Sequence, residues 1–218
     1  ASARSYRDCI DVLGQELSQK TVIGLNGGLA YKAGELILEK PMNHRAFDLA
    51  LYYCHRYQLP YFVDDDFNYA HHLEQFIPFI HSVDPLKLAK EVVVEDLKHP
   101  IKMVVFFGNH LDKIAEVSHH LAKLEQLDIT FHDDESCLYL NPKEVTKSST
   151  IQELFDHDFV AFGNDRNDIA MFQAAVYSVQ VGDFADLSPF ADTQVLLRQD
   201  YHQAVADKIH ETFEKFRA

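Results

Sequence analysis

The pattern of apolar and polar positions divides the chain into three stretches. Near the start, Ile10, Val12, Leu13 and Leu17 recur at near-helical spacing, which predicts a helix over residues 5–17. A compact apolar strand is expected over 21–25. It stops at Asn26-Gly27-Gly28, where a glycine pair breaks regular structure and lets the backbone approach a neighbour closely. The middle stretch, about 29–140, alternates hairpins and helices. Residues 29–31 and 35–39 flank Lys32-Ala33-Gly34, which reads as a hairpin turn, and Asn43 is placed to cap a helix running to about Tyr57. Strands are expected at 61–63, 101–107, 127–132 and 137–140, with an amphipathic helix at 111–124. Antiparallel strands with helices on one face make an α+β unit.

The last stretch alternates strictly. Helices are expected over 146–155, 168–175 and 202–216, with strands at 159–162, 176–181 and 195–197. This rhythm predicts an α/β fold with a parallel, doubly wound sheet carrying helices on both faces. The two outer stretches share one character and the middle has another, as when a domain is inserted into a loop of an α/β core. On that pattern residues 1–25 and 141–218 form the core, and 26–140 form the inserted domain.

Composition narrows the function classes. With 218 residues, 47% of them hydrophobic, the chain has material for a packed core. Its net charge of −14 argues against nucleic acid or an anionic membrane as partner, because their phosphates would be repelled. The charge is compatible with a divalent cation, although an acidic soluble surface accounts for most of the excess. Cys9, Cys54 and Cys137 are odd in number and widely spaced, so no disulfide framework is suggested and a reducing cytoplasm is expected. No apolar run reaches the roughly 18 residues of a membrane span, and no signal-peptide pattern opens the sequence.

Three segments carry candidate chemistry. Residues 159–168 read Phe-Val-Ala-Phe-Gly-Asn-Asp-Arg-Asn-Asp, an apolar strand delivering Asn164, Asp165, Asn167 and Asp168 at its C-terminal tip. That edge is where open α/β sheets bind ligands. Oxygen ligands on a tight turn suit Mg²⁺, which takes one or two protein carboxylates and keeps waters or phosphate oxygens. The competing reading is a polar turn whose side chains cap the next helix. The second segment runs from Asn141-Pro142 to Lys147, a lysine at an expected helix start. A cation there opposes the helix dipole and makes sense if it faces a phosphate or carboxylates; otherwise it is a surface lysine. The third is Ser2 with Arg4, where a small hydroxyl residue is either a helix cap or a donor to a phosphoryl oxygen.

In this order the pieces resemble the Cof-type branch of the haloacid dehalogenase (HAD) superfamily of phosphatases. That family carries a strand ending in Thr or Ser, often as Thr-Gly-Arg, then Asn-Gly at the entry to an α+β cap. Asn-Pro-x-x-x-x-Lys and a strand ending in Gly-Asp-x-x-Asn-Asp follow. The matching positions are Ser2 and Arg4, Asn26-Gly27, Asn141-Pro142 with Lys147, and Gly163 to Asp168; Gly182-Asp183 resembles a later Gly-Asn. The resemblance implies a HAD-like core with an inserted cap and Mg²⁺-dependent hydrolysis of a small phosphorylated metabolite through an aspartyl-phosphate. It implies that Ser2 hydrogen-bonds the phosphoryl group and that Lys147 neutralises the nucleophile and the transferring phosphoryl. Asn164, Asp165 and Asp168 would hold or orient Mg²⁺, and Asn167 would support that loop. Arg4, Asn26 and Gly27 would lie on the substrate side, where the cap closes and sets substrate identity.

Three departures qualify the match. The family's Asp-x-Asp nucleophile motif belongs before Ser2, where this sequence has only Ala1, so the expectation is that the sequence is part of a longer chain. Asn164 stands where the family usually has Asp, with Asp165 next to it, and Asp183 stands for Asn. Asp64 and Asp66 have Asp-x-Asp spacing but fall within the expected cap and read as a polar hairpin turn. His71-His72 and His119-His120 lack the i,i+4 pairing of a zinc helix. Two alternatives stand beside the phosphatase: a non-catalytic relative that binds a phosphorylated ligand, and an interaction module that binds neither Mg²⁺ nor phosphate.

Overall fold

Side-chain caps open the first two helices. The Ser5 hydroxyl accepts from the Asp8 N–H and opens helix α1 (Tyr6–Leu17), which Gly14 interrupts with φ +67°. The Asn43 side chain accepts from the Arg45 N–H and opens α2 (His44–Tyr57), closed by Gln58 in the left-handed region. The computed structural model describes residues 1–72 and 82–217. The chain folds as two compact units, Ala1–Ile151 and Gln152–Ala218.

In the first unit β1 (Val22–Gly24), β2 (Leu29–Lys32) and β3 (Glu35–Glu39) form an antiparallel meander. Helix α1 packs against it, with Tyr6 stacked on Tyr31 at 4.2 Å between ring centroids. A five-stranded antiparallel sheet has the order β5-β4-β6-β8-β7: Tyr69–His72, Tyr61–Asp64, Lys102–Phe106, Cys137–Pro142 and Leu127–His132. Alternation along the strands sends Val63, Met103, Val105, Leu138 and Leu140 to the face covered by α2 and by α3 (Ile114–Ala122). Phe62, Val104, Phe106 and Cys137 cluster on the opposite face.

One buried charge cluster ties α1 to this sheet. Arg7 is 1% exposed, and its guanidinium is paired with the Asp64 carboxylate, donates to the Phe67 carbonyl at 3.0 Å and approaches Asp8 at 3.4 Å. Burial opposes its charge, but Asp64 and Asp8 hold the guanidinium above its ordinary pKa. Asp64 ends β4 and Asp66 lies within the β4–β5 hairpin turn, while Asp65 accepts from the backbone N–H groups of Lys98 and His99.

The second unit is a parallel three-stranded sheet, β11-β10-β9 (Thr193–Val195, Tyr177–Val181, Val160–Gly163). Helices α5 (Ile169–Ala174) and α6 (Tyr201–Phe216) accompany it, and α4 (Lys147–Leu154) precedes it.

Three details differ from the periodicity. The expected strand at 195–197 ends at Val195, because β10 stops at Val181 and Gly182, at φ +97°, turns the chain away after bonding the Val195 carbonyl. Strand β5 has no apolar alternation to announce it; its partner β4 and the 1% exposed Ala70 make it a strand. The strand expected at 21–25 pairs antiparallel with its neighbour β2 rather than within the parallel sheet.

Candidate functional site

In the first unit the chain before α1 lies along β1. The Ser2 N–H donates to the Ile23 carbonyl at 2.8 Å, and the Asn26 N–H donates to the Ser2 carbonyl at 3.0 Å. The Arg4 N–H donates to the Ser2 hydroxyl at 3.1 Å, and the Arg4 carbonyl accepts from Leu25 at 2.8 Å. Ser2, Arg4 and Asn26 are thus brought together by backbone bonds, with the Arg4 side chain exposed. Asn26 holds φ +58°, a conformation asparagine tolerates better than most residues.

Gly27 joins this turn to α4. It sits at φ +106°, and a Cβ there would fall 2.2 Å from the Thr146 carbonyl oxygen, so only glycine fits. Its carbonyl accepts from the Thr150 hydroxyl at 2.7 Å, and that hydroxyl also accepts from Lys40 at 3.3 Å. Lys147, the first residue of α4, is therefore held one residue from the Asn26–Gly27 turn, and it is 6% exposed. A surface lysine would not be so buried. Burial of an ammonium group demands oxygen partners or a functional reason.

In the second unit β9 ends at Gly163, and the loop after it folds onto Asp168. The Asp168 carboxylate, 3% exposed, accepts from the N–H groups of Asn164 at 2.8 Å and Asp165 at 3.2 Å. Asp165 in turn accepts from the Arg166 N–H at 2.6 Å and from the Asp168 backbone N–H, the latter completing a capping box on the 3-10 turn Arg166–Asp168 that leads into α5. A Cβ on Gly163 would meet Asp168 Cγ at 2.6 Å, so this glycine makes space for the folded-back carboxylate. Asn167 sits in the same turn, exposed, between Arg166 and Asp168. A cleft of about 440 Å³ opens at the C-terminal ends of β9 and β10, lined by Gly163, Asn164, Gly182, Asp183 and Phe184 among others. The capping reading of this loop is what the hydrogen bonds show. Its side chains cap the helix, and its carboxylates stand at the strand ends where open α/β sheets bind ligands.

The donor set fits a hard divalent cation. Two carboxylates and one amide oxygen stand within five residues, and an ionised carboxylate accepts more bonds than the caps use. Among the described residues no group of three or more His, Cys, Asp and Glu is placed to hold a metal. Mg²⁺ needs no such cage, since waters and phosphate oxygens complete its shell.

The family model of haloacid dehalogenase-like hydrolases matches residues 1–209. The chain belongs to that family. Solved HAD structures share its fold. A haloacid dehalogenase-like hydrolase from Bacteroides thetaiotaomicron is 20% identical over 96% of this chain and 85% of its own, with a TM-score of 0.76. The HAD subclass IIB sugar phosphatase BT4131 is 18% identical over 99% and 84%, with a TM-score of 0.73. SMU.1108c from Streptococcus mutans UA159 is 19% identical over 90% and 78%, with a TM-score of 0.71. No curated protein matches the sequence. Among the described residues no helix of this HAD hydrolase is long and apolar enough to cross a membrane.

The sequence reading passed over Lys102, Thr150 and Lys40. Thr150 is one helical turn from Lys147 on α4, a spacing that would have shown the shared face. Lys102 opens an otherwise apolar strand, which is an odd place for a charge.

Proposed function

We propose that this HAD hydrolase is a Mg²⁺-dependent phosphatase of small phosphorylated metabolites, a sugar phosphate or a phosphorylated cofactor. The observation that carries the reading is the buried Lys147 at the start of α4, clamped to the Ser2–Asn26 turn through Gly27 and Thr150. Lys147 is proposed to neutralise phosphoryl oxygens as charge builds on them, with the α4 N-terminus adding to the same field. Ser2 is proposed to donate its hydroxyl proton to a phosphoryl oxygen, and Arg4, Asn26 and Gly27 to border the substrate. Asn164, Asp165 and Asp168 are the proposed Mg²⁺ ligands, steadied by Asn167. When bound, Mg²⁺ screens the repulsion between carboxylates and phosphate. The aspartate nucleophile that this chemistry requires is not assigned to any residue of the sequence. In the same reading residues 1–25 and 141–218 act as the core and 26–140 as the cap.

Hydrolysis of p-nitrophenyl phosphate, with and without Mg²⁺, tests the activity, and thermal stabilisation by Mg²⁺ plus orthovanadate tests the site. Expected are Mg²⁺-dependent turnover and a rise in Tm that needs both additions; Lys147→Met should remove both. Stabilisation without turnover would leave a phosphate-binding relative, and neither effect would leave an interaction module.

A further inference from the structure

The five-stranded sheet has two edges, and they are treated differently. Strand β5 is covered, because the Tyr69 carbonyl accepts from the Val92 N–H at 3.0 Å and Tyr69 bridges Glu91. Strand β7 is open. It pairs with β8 over all six of its residues, without a bulge, and ends the sheet. The Gln126 carbonyl accepts from the Lys143 N–H at 3.2 Å, one step beyond the Leu127–Pro142 pair. By alternation Asp128, Thr130 and His132 bond towards β8, and the backbone N–H and C=O groups of Ile129 and Phe131 point outwards. Among the described residues none of these outward groups has a hydrogen-bond partner. Such edges are commonly blunted by lysine, proline or a bulge, and residues 127–132 contain none of the three.

This edge is complementary to itself. Laid antiparallel against a second copy with Thr130 on a two-fold axis, β7 sets Asp128 opposite His132, Ile129 opposite Phe131, and Thr130 opposite Thr130. The hydrogen-bond parity agrees, since Ile129 and Phe131 are the residues whose backbone groups face out and can exchange bonds. Asp128, Thr130 and His132 then fall at non-hydrogen-bonded positions, where opposed side chains come closest. Acid with base, β-branched with aromatic, and threonine with threonine are all stabilising cross-strand pairs. Moving the axis to Ile129 or Phe131 would face Asp128 or His132 with Thr130 and lose the charge pair. The side chains are also held in place. His132 lies 4.5 Å from the Tyr139 ring, Asp128 accepts from the Glu144 N–H at 2.8 Å, and Ile129 and Phe131 are half-buried against the core under α2 and α3.

We propose that β7 binds a second copy of this chain, joining two five-stranded sheets edge to edge across a two-fold axis at Thr130. A single ladder of this length buries less surface than a permanent dimer needs, so the association is weak, with Kd on the order of 10–100 µM. Each copy carries a net charge of −14, so repulsion opposes the meeting and salt strengthens it. The contact stands whether or not the chain hydrolyses a phosphate ester.

The test is sedimentation velocity of the full chain from about 5 to 500 µM in roughly 0.15 M salt. The unaltered protein should pass from monomer to dimer across that range. Thr130→Lys and Thr130→Asp each place like charges on the axis and should raise Kd about tenfold or more. Mixed in equal amounts, the two variants should dimerise with each other, because the charges at the shared position are then opposite. His132→Asp, which sets two carboxylates face to face with Asp128, should weaken the dimer in the same way. A protein that stays monomeric throughout would overturn the proposal, as would a dimer that the Thr130 variants leave unchanged. Failure of the mixed variants to pair would exclude an axis at Thr130 and overturn it equally. If a Thr130 variant does not fold by circular dichroism, His132→Asp decides by whether the dimer is lost.

Discussion

At Gly27 a Cβ would land 2.2 Å from the Thr146 carbonyl oxygen, whereas at Gly163 it would meet the Asp168 side chain at 2.6 Å. The two turns look alike in sequence: each has a glycine at a strand end with asparagine beside it. Gly27 is opposed by backbone and also holds a positive φ, so nothing nearby can rotate away. Gly163 is opposed by one carboxylate, which can swing out at the loss of two backbone hydrogen bonds. The buried charges of the two units differ as well. In the first unit Arg7 and Asp64 are buried and satisfy each other, while in the second Asp165 and Asp168 are satisfied by N–H groups of their own loop. One turn is built into its unit's core, and the other is held by hydrogen bonds within its own loop.

The sharpest break between the two is Arg7→Met. It strands Asp64 in the interior, and losing one partner of a buried pair should lower the unfolding free energy by about 3–5 kcal/mol. Asp165→Asn in the exposed loop should cost under about 1 kcal/mol. Equal costs in urea unfolding would erase the distinction. Gly27→Ala comes next, at about 2–4 kcal/mol from the clash and the left-handed backbone together. A loss below about 1 kcal/mol would mean that the start of α4 moves freely.

Gly163→Ala should cost only about 1–2 kcal/mol in unfolding, yet it should weaken Mg²⁺ binding because Asp168 is displaced. Intact Mg²⁺ affinity in this variant would argue against Asp168 as a ligand. The smallest effect concerns Lys102, whose pKa burial lowers from 10.5 against the pull of Asp64. In the window below 10.5 the unfolded chain binds that proton more readily than the folded one. This group's contribution to stability therefore rises with pH there. Urea midpoints between pH 8 and pH 10 should shift in favour of the unaltered protein relative to Lys102→Gln; the opposite drift would contradict a lysine whose charge desolvation disfavours.

Much of this was legible in the chain itself. Asn43 caps the helix it was read to cap, and Ser5, read as the first residue of its helix, is that helix's cap, because side-chain capping is a local contest between neighbouring atoms. The Asn164–Asp168 cluster announced a strand-end turn for the same reason. Strand β5 was not legible, since Tyr69-Ala70-His71-His72 carries no alternation and becomes a strand through its ladder with β4. Nor was Arg7, one polar residue among several on α1, whose burial follows from Asp64 fifty-seven positions away.

What the sequence determined alone is therefore the set of pieces: the periodic helices and strands, the Asn-Gly turn, the acidic loop, and a lysine at the start of α4. Each follows from forces acting within a few residues, namely steric limits on φ, caps, and the spacing of apolar side chains. Tertiary structure decided which of those pieces act together. Lys147 became buried, Gly27 became irreplaceable and Lys102 came to stand beside Asn141 only when segments up to 123 residues apart met. Solvent exclusion and strand register are properties of that meeting, and no window of a few residues contains them.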